Sequence, residues 1–312
     1  MGDVEKSVCV LAPSPLLTVT VEVGDGEHPE IHVHAGGQGL WIANMLTALD
    51  TRAVVCAPLG GEIGAVLASV LSDELFELRS VPTEGSNGCY LEDRRSGDLE
   101  CLAEMPAARL NRHESDELSN TVLTAGMETG VAVLTGSGGM DVIDPDFYRR
   151  AASDLSSLGI TVIGDLSAEF LDAAVEGGLD VVKVADDEIS SKDPVQGAQE
   201  LSDQVRQAVV LTRAEEPALV FGDEVRSIRV PTLETVNHRG AGDSMTAGIA
   251  AALARGDSFD EALCLGAASG AVNVTRHGLA SGRRDTIEKL AEQVTIEQAS
   301  EEDLRHARSR HQ

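Results

Sequence analysis

The run Asn237-His238-Arg239-Gly240-Ala241-Gly242-Asp243-Ser244 sets two glycines and a carboxylate at the head of an alanine-rich stretch. A Gly-x-Gly turn that opens a helix leaves backbone N–H groups pointing outward, and these attract anions. The missing side chains let a phosphate come close to the backbone. Asp243 then falls in the first turn beside that anion. There its carboxylate can take the proton of a substrate hydroxyl as the oxygen attacks phosphorus. Phosphoryl transfer asks for little beyond such alignment and charge stabilisation. Asp243 or Ser244 could equally do no more than cap the helix, and the run taken alone leaves both readings open.

Two further constellations could line the same site. Ala35-Gly36-Gly37-Gln38-Gly39-Leu40-Trp41 crowds three glycines into four residues at the entry of a helix. It allows close contact with a ligand and equally describes a tight turn. Trp41 offers a flat apolar face to a sugar or another ring, or to the core. Lys183-Val184-Ala185-Asp186-Asp187-Glu188 closes an apolar strand, and strand C-termini are where open α/β sheets bind ligands. Glu188 could hold Mg²⁺ directly or through water, or belong to a solvated acidic face. His32, His34 and His238 could hydrogen-bond a polyol or simply be solvated. Other chemistries lack their signatures. The first strand-to-helix turn has no G-x-G-x-x-G, and Gly136-Ser137-Gly138-Gly139 misses that spacing. There is no G-x-x-x-x-G-K-[ST], no H-E-x-x-H and no G-x-S-x-G.

The elements that position these residues alternate. Short apolar runs at 7–11, 53–57, 131–134, 161–164, 181–183 and 208–212 predict strands. Amphipathic patterns at 40–49, 63–71, 111–127, 146–158 and 194–205 predict the helices between them. That rhythm implies an α/β fold, a mainly parallel sheet between helices. The last third is helical and rich in small residues, at 243–255 and 259–276, which permits tight helix packing. Two segments, about 16–35 and 87–104, alternate instead with period two. They predict hairpins of a separate, half-buried antiparallel sheet that could act as a lid, or two ordinary surface hairpins. The expectation is one domain over 1–298 with the lid strands inserted, and a charged, frayed tail at 299–312.

Composition narrows the partners. The 312 residues suffice for one sizeable core, and with only 3% aromatics that core must be built from Ala, Val, Leu and Ile. Fifty-two acidic against 24 basic residues give a formal charge of −28. This argues against nucleic acid and anionic membranes as partners and fits either a salty setting or an ordinary acidic protein. The five scattered cysteines show no CxxC spacing, so neither a disulfide framework nor a zinc site is expected. The first residues lack a signal-peptide pattern and no apolar run is long enough to span a bilayer. The chain reads as cytoplasmic.

Together these segments resemble the PfkB/ribokinase family of carbohydrate kinases, above all its 1-phosphofructokinase and tagatose-6-phosphate kinase branch, over nearly the whole chain. Gly36-Gly37-Gln38-Gly39 is similar to the first family signature and Gly240-Ala241-Gly242-Asp243-Ser244 to the second. In between, 134–137 looks like the segment ending in Gly-Ser, Asp165-Leu166-Ser167 like Asp-x-Ser, and 183–188 like Lys-Pro-Asn-x-x-Glu; 271–278 looks like the helix beside the adenine pocket. The resemblance implies a ribokinase-like three-layer fold with a small β lid, and ATP and Mg²⁺ as cofactors. Asp243 would be the general base, and the amides of Gly240, Ala241 and Gly242 the anion hole. Glu188 would organise the metal, and Lys183, Thr212 and Asn273 would lie near the nucleotide. Gly36, Gly37, Gln38, Trp41 and Arg239 would meet the acceptor, a sugar or sugar derivative, sugar phosphates included. Lid strands pair between subunits in this family, which makes a homodimer the expected assembly.

The chain also departs from the family pattern, at the acceptor end and in the segments near the nucleotide. Gln38 stands where the branch has lysine, and Trp41 where it has asparagine. Thr18 replaces a sugar-binding aspartate, and Gly85 an arginine. Val184 and Ala185 replace Pro-Asn, Ala214 and Pro217 replace glycines, and Asn237 an aspartate linked to a monovalent cation. Arg239 precedes the anion hole where relatives are neutral, which suits a contact to a phosphate. The alternative to a working kinase is a catalytically weak or inactive ligand-binding or regulatory protein on the same fold.

Overall fold

The computed structural model describes residues 6–304 apart from 25, 27, 98, 137–140, 190, 214–215, 232, 234–238 and 276–281. Of the residues singled out above, Ser137, Gly138, Gly139, Ala214, Asn237, His238 and 276–278 lie outside the described residues.

The chain opens with β1 (Ser7–Leu11) and the hairpin β2 (Leu16–Glu22) and β3 (Glu30–Gly36), then α1 (Gln38–Ala48), β4 (Arg52–Gly60), α2 (Gly61–Leu71) and β5 (Glu77–Thr83). A second hairpin, β6 (Gly88–Asp93) and β7 (Glu100–Met105), leads to α3 (Arg112–Thr129), β8 (Val131–Thr135), α4 (Pro145–Ser157), β9 (Thr161–Asp165), α5 (Ala168–Gly177), β10 (Val181–Ala185) and α6 (Pro194–Ser202). Then come β11 (Ala208–Arg213), β12 (Glu216–Phe221), β13 (Val225–Arg229), α7 (Ala241–Arg255), α8 (Phe259–Val274), α9 (Arg284–Ala291) and β14 (Thr295–Gln298).

Among the described residues the large sheet has ten strands, in the order β14-β13-β12-β11-β10-β9-β8-β1-β4-β5. From β11 to β5 every pairing is parallel. β1 shows why: all five of its residues are buried, as expected of a strand covered on both faces. One core cluster joins the sheet to α1, α2, α7, α8 and α9, and another joins its opposite face to α3, α4, α5 and α6. Helix ends are set locally. Asn111 and Glu114 form a reciprocal capping box on α3, as do Ser258 and Glu261 on α8.

Three features differ from the sequence expectation. β12, β13 and β14 extend the sheet antiparallel, because β11, β12 and β13 are joined by turns too short for a helical crossover. The lid is one mixed sheet, β3-β2-β6-β7, in which β2 and β6 run parallel; the two hairpins join along their inner strands. The tail is anchored where it leaves β14. Ser300 caps residues 301–304, and Asp303 is buried against Arg229 at 2.8 Å, with Arg213 donating to its backbone carbonyl at 3.0 Å.

The parallel strands end at one edge of the sheet, where Thr135, Asp165 and Lys183 are register partners, as are Ala185 and Thr212. α7 crosses this edge with residues Asp243 to Ala252 buried without a break. The small residues make that possible. A Cβ on Gly248 would come within 2.7 Å of the Gly266 Cα of α8.

Candidate active site

Gly240 is the N-cap of α7 and has a left-handed backbone, φ 77°, which glycine adopts without strain. Its carbonyl accepts from the Ser244 amide at 2.9 Å, closing the first turn. The amides of Ala241 and Gly242 therefore begin the helix with no partner inside it, the arrangement that binds anions. Asp243 follows, only 9% exposed. Burial pushes its carboxyl up to about 7, and the charge of Asp165 adds to the effect; Lys183 and a hydrogen bond with Gln38 pull the other way.

Behind this turn stands a buried charge cluster. Lys183 Nζ lies 2.8 Å from Asp165 Oδ1, a buried ion pair. Thr246 donates to Asp165 Oδ2 at 2.6 Å. Burial opposes the charge on Lys183, but Asp165, Glu188 and Asp243 outweigh it and hold its ammonium above the usual lysine range. A Cβ on Gly242 would lie 2.8 Å from Lys183 Nζ, so the second glycine of the motif makes room for this ammonium. Breaking such a buried pair from one side costs about 3–5 kcal/mol.

The remaining expected residues fall into two groups. Glu188 is half-buried in the turn after β10 and accepts from the Ala185 amide at 2.8 Å. Here a backbone N–H at the position of the family asparagine steadies the carboxylate. Thr212, half-buried at the end of β11, donates to the Val184 carbonyl at 3.3 Å. Asn273 turns inward: it is fully buried, and its amide donates to the Arg239 carbonyl at 2.8 Å. Asn273 thus ties α8 to the residue before the anion hole, and Lys183 likewise supports the turn from behind.

Gln38 begins α1 and reaches across the sheet edge. Its Oε1 accepts from Gly136 N–H at 2.9 Å and its Nε2 donates to the Asp165 carbonyl at 3.3 Å. Gly37 needs to be glycine on two counts, φ 118° and a Cβ position 2.8 Å from the Ser14 carbonyl. A Cβ on Gly36 would touch Leu16 and Trp41 at 3.3 and 3.9 Å. Trp41 itself is half-buried against the main core cluster, which favours the packing reading of this ring.

The lid brings Tyr90 and Glu104, which sequence reasoning left unassigned, beside Thr18 and His34. Strand pairing puts Thr18, His34, Tyr90 and Glu104 in one cross-strand row, with Tyr90 donating to Glu104 at 3.1 Å. Burial pushes the Tyr90 hydroxyl up and Glu104 adds to this, while Arg239 works against it. The exposed Arg239 guanidinium therefore lies within electrostatic reach of the lid. Period-two alternation marks each strand, but only the pairing shows which residues become neighbours. The position of the lost aspartate, Thr18, has acquired polar company from three other strands. His32 stacks on His34 with centroids 6.1 Å apart.

Residues 19–287 match the family described as pfkB family carbohydrate kinase. The chain belongs to that family. It is accordingly an ATP-dependent carbohydrate kinase on the ribokinase-like fold. It is 27% identical over 270 residues to the ATP-dependent 6-phosphofructokinase isozyme 2 of Escherichia coli (strain K12), covering 82% of this chain and 86% of that one. It is 24% identical over 276 residues to a tagatose-6-phosphate kinase of Staphylococcus epidermidis, covering 84% and 88%. The crystal structure of phosphofructokinase-2 from Escherichia coli in complex with potassium superposes with a TM-score of 0.79 at 24% identity, over 92% of this chain and 98% of that one. At that identity the superposition speaks for the fold alone.

Proposed function

We propose that this kinase transfers the γ-phosphoryl group of ATP to a hydroxyl of a sugar or sugar derivative, with Asp243 as general base. The observation that carries this reading is the buried Asp243 carboxylate one residue beyond the open amides of a helix started by a left-handed glycine. Asp243 takes the hydroxyl proton as the acceptor oxygen forms its bond to the γ-phosphorus and the bond to the bridging oxygen of ADP breaks. The amides of Gly240, Ala241 and Gly242 meet the charge on the phosphoryl oxygens. The donor set suits Mg²⁺ delivered with the nucleotide. Among the described residues no three His, Cys, Asp or Glu converge to hold a metal alone, and Mg²⁺ typically keeps waters and phosphate oxygens beside one or two carboxylates. Glu188 would hold it, and the ion would neutralise phosphate charge. Thr212 would flank the nucleotide.

The acceptor end follows from the lid. Thr18, His34, Tyr90 and Glu104 supply hydroxyl, imidazole and carboxylate partners for a polyol. Gly36, Gly37 and Gln38 form its floor. With Gln38 in place of a cation, Arg239 is the residue that would contact a phosphate, of ATP or of a sugar phosphate. On the opposite face of the lid Ile31 and Val33 are 66% and 44% exposed, and a homodimer through the lid strands would cover them. ADP release measured over a panel of sugars, sugar phosphates and nucleosides tests the proposal. Turnover with at least one polyol is expected. ATP binding with no turnover on any acceptor would overturn it in favour of a binding protein. Arg239→Ala should weaken the affinity for ATP or for the acceptor, and unchanged affinity for both would remove Arg239 from the site.

A further inference from the structure

Asp165 has no part in the reading above, yet it is 1% exposed at the edge of the sheet. Its two carboxylate oxygens are held differently. Oδ1 lies 2.8 Å from Lys183 Nζ, and Oδ2 accepts from Thr246 at 2.6 Å. Its backbone carbonyl accepts from Gln38 at 3.3 Å, and Gln38 is near enough to Asp243 to lower its carboxyl. Thr246 sits three residues after Asp243, on the same side of α7. Lys183, the other partner, lies against the Cβ position of Gly242. Of the groups that touch Asp165, Thr246 lies on the helix that carries Asp243, and Lys183 lies against the Gly242 position of its first turn.

We propose that Asp165 is a positioning residue that locks the first turn of α7 to the sheet edge and sets the charge balance around Asp243, so that Asp243 remains an effective base. The proposal rests on the reading of Asp243 as that base. The groups facing Asp243 are Asp165 from β9, Lys183 from β10, Glu188 from the turn after β10 and the neutral Gln38 from α1. Two carboxylates and one ammonium share the buried cluster, with Glu188 at its margin. Without Asp165, Lys183 would turn its charge on Asp243 and stabilise the carboxylate, which would make it a poorer proton acceptor. A lysine alone beneath the anion hole would thus draw phosphate but blunt the base. Asp165 lets the cation support the turn without doing so. Burial is the main cause that holds the Asp243 carboxyl up at about 7; the charge of Asp165 adds to it and Lys183 opposes it.

The test is a titration that needs no turnover. Protein carrying ¹³C-labelled aspartate carboxyls is titrated by NMR, with the Asp243 signal assigned by its loss in Asp243→Asn. Asp165→Asn should move the Asp243 midpoint down by about one pH unit or more, and Lys183→Met should move it up. Opposite shifts are not expected of residues that only support the fold. Either variant that keeps the wild-type circular dichroism decides, and an unmoved midpoint overturns the proposal. Once an acceptor has been found, the acidic limb of the kcat/KM profile should follow the same two directions. If Asp243→Asn retains turnover, the reading of Asp243 as base fails, and the titration still reports on Asp165 independently.

Discussion

Asp243 is enclosed by α1, β9, β10 and its own helix, with each polar neighbour tied to another by a hydrogen bond or a charge contact. The lid is thin by comparison, and Ile31, Val33 and Met105 are 66%, 44% and 41% exposed; β7 is exposed along its length. The charged residues of the first region, Asp165, Lys183, Glu188 and Asp243, all match the family pattern, and the second holds the substitutions at Thr18 and Gly85, with Gln38 and Trp41 between the two. Packing accounts for the contrast. A change in the buried cluster leaves a charge or a cavity, whereas a lid residue can change with its neighbours adjusting in solvent.

The contrast can be broken by experiment. The largest effect is expected from Asp243→Asn, which should lower kcat by about 10²–10⁴-fold with little change in ATP affinity measured by calorimetry. A small loss would mean that the buried region is not the chemical one. Next is Gly240→Ala. A side chain at φ 77° costs about 1–2 kcal/mol and displaces the amides, so kcat should fall roughly tenfold or more and the melting temperature should drop. Gln38→Lys sharpens the acceptor end. It restores a cation, and the ratio of kcat/KM for sugar phosphates over neutral sugars should rise by about tenfold, the worth of one charge-assisted hydrogen bond. An unchanged ratio would mean that the acceptor lies away from Gln38.

The smallest effect is on stability. The Asp243 carboxyl stands at about 7, above its ordinary value of 3.8. Between those values the folded chain holds a proton that the unfolded chain has released, so ionised Asp243 costs stability that grows as pH rises through this window and levels off above about 7. Asp243→Asn lacks that cost. Its melting temperature relative to wild type should climb from pH 4 to pH 7 and then stay constant. A difference independent of pH would mean that the carboxyl titrates normally.

How much was legible follows from how local each feature is. The continuous apolar runs of the parallel strands marked β1, β8 and β9 closely, and Gly-Ala-Gly-Asp announced a helix start. β12 and β13 were missed because strands of mixed polarity at a sheet edge carry weak patterns. The lid's alternation was visible, but the parallel pairing of β2 with β6 was not, since no local signal states which of two hairpins lies beside which.

By itself the sequence determined the alternation of parallel strands and helices, the glycine-opened start of α7 and the family to which the chain belongs, because periodicity and turn chemistry depend on neighbours within a few residues. Tertiary structure alone decided that Asp165, Lys183 and Thr246, spread over 82 residues of sequence, meet beneath Asp243, and that Asn273 and Trp41 turn towards the interior. Charges interact through space, and which charges become neighbours is set by strand order and by how closely α7 can approach the sheet.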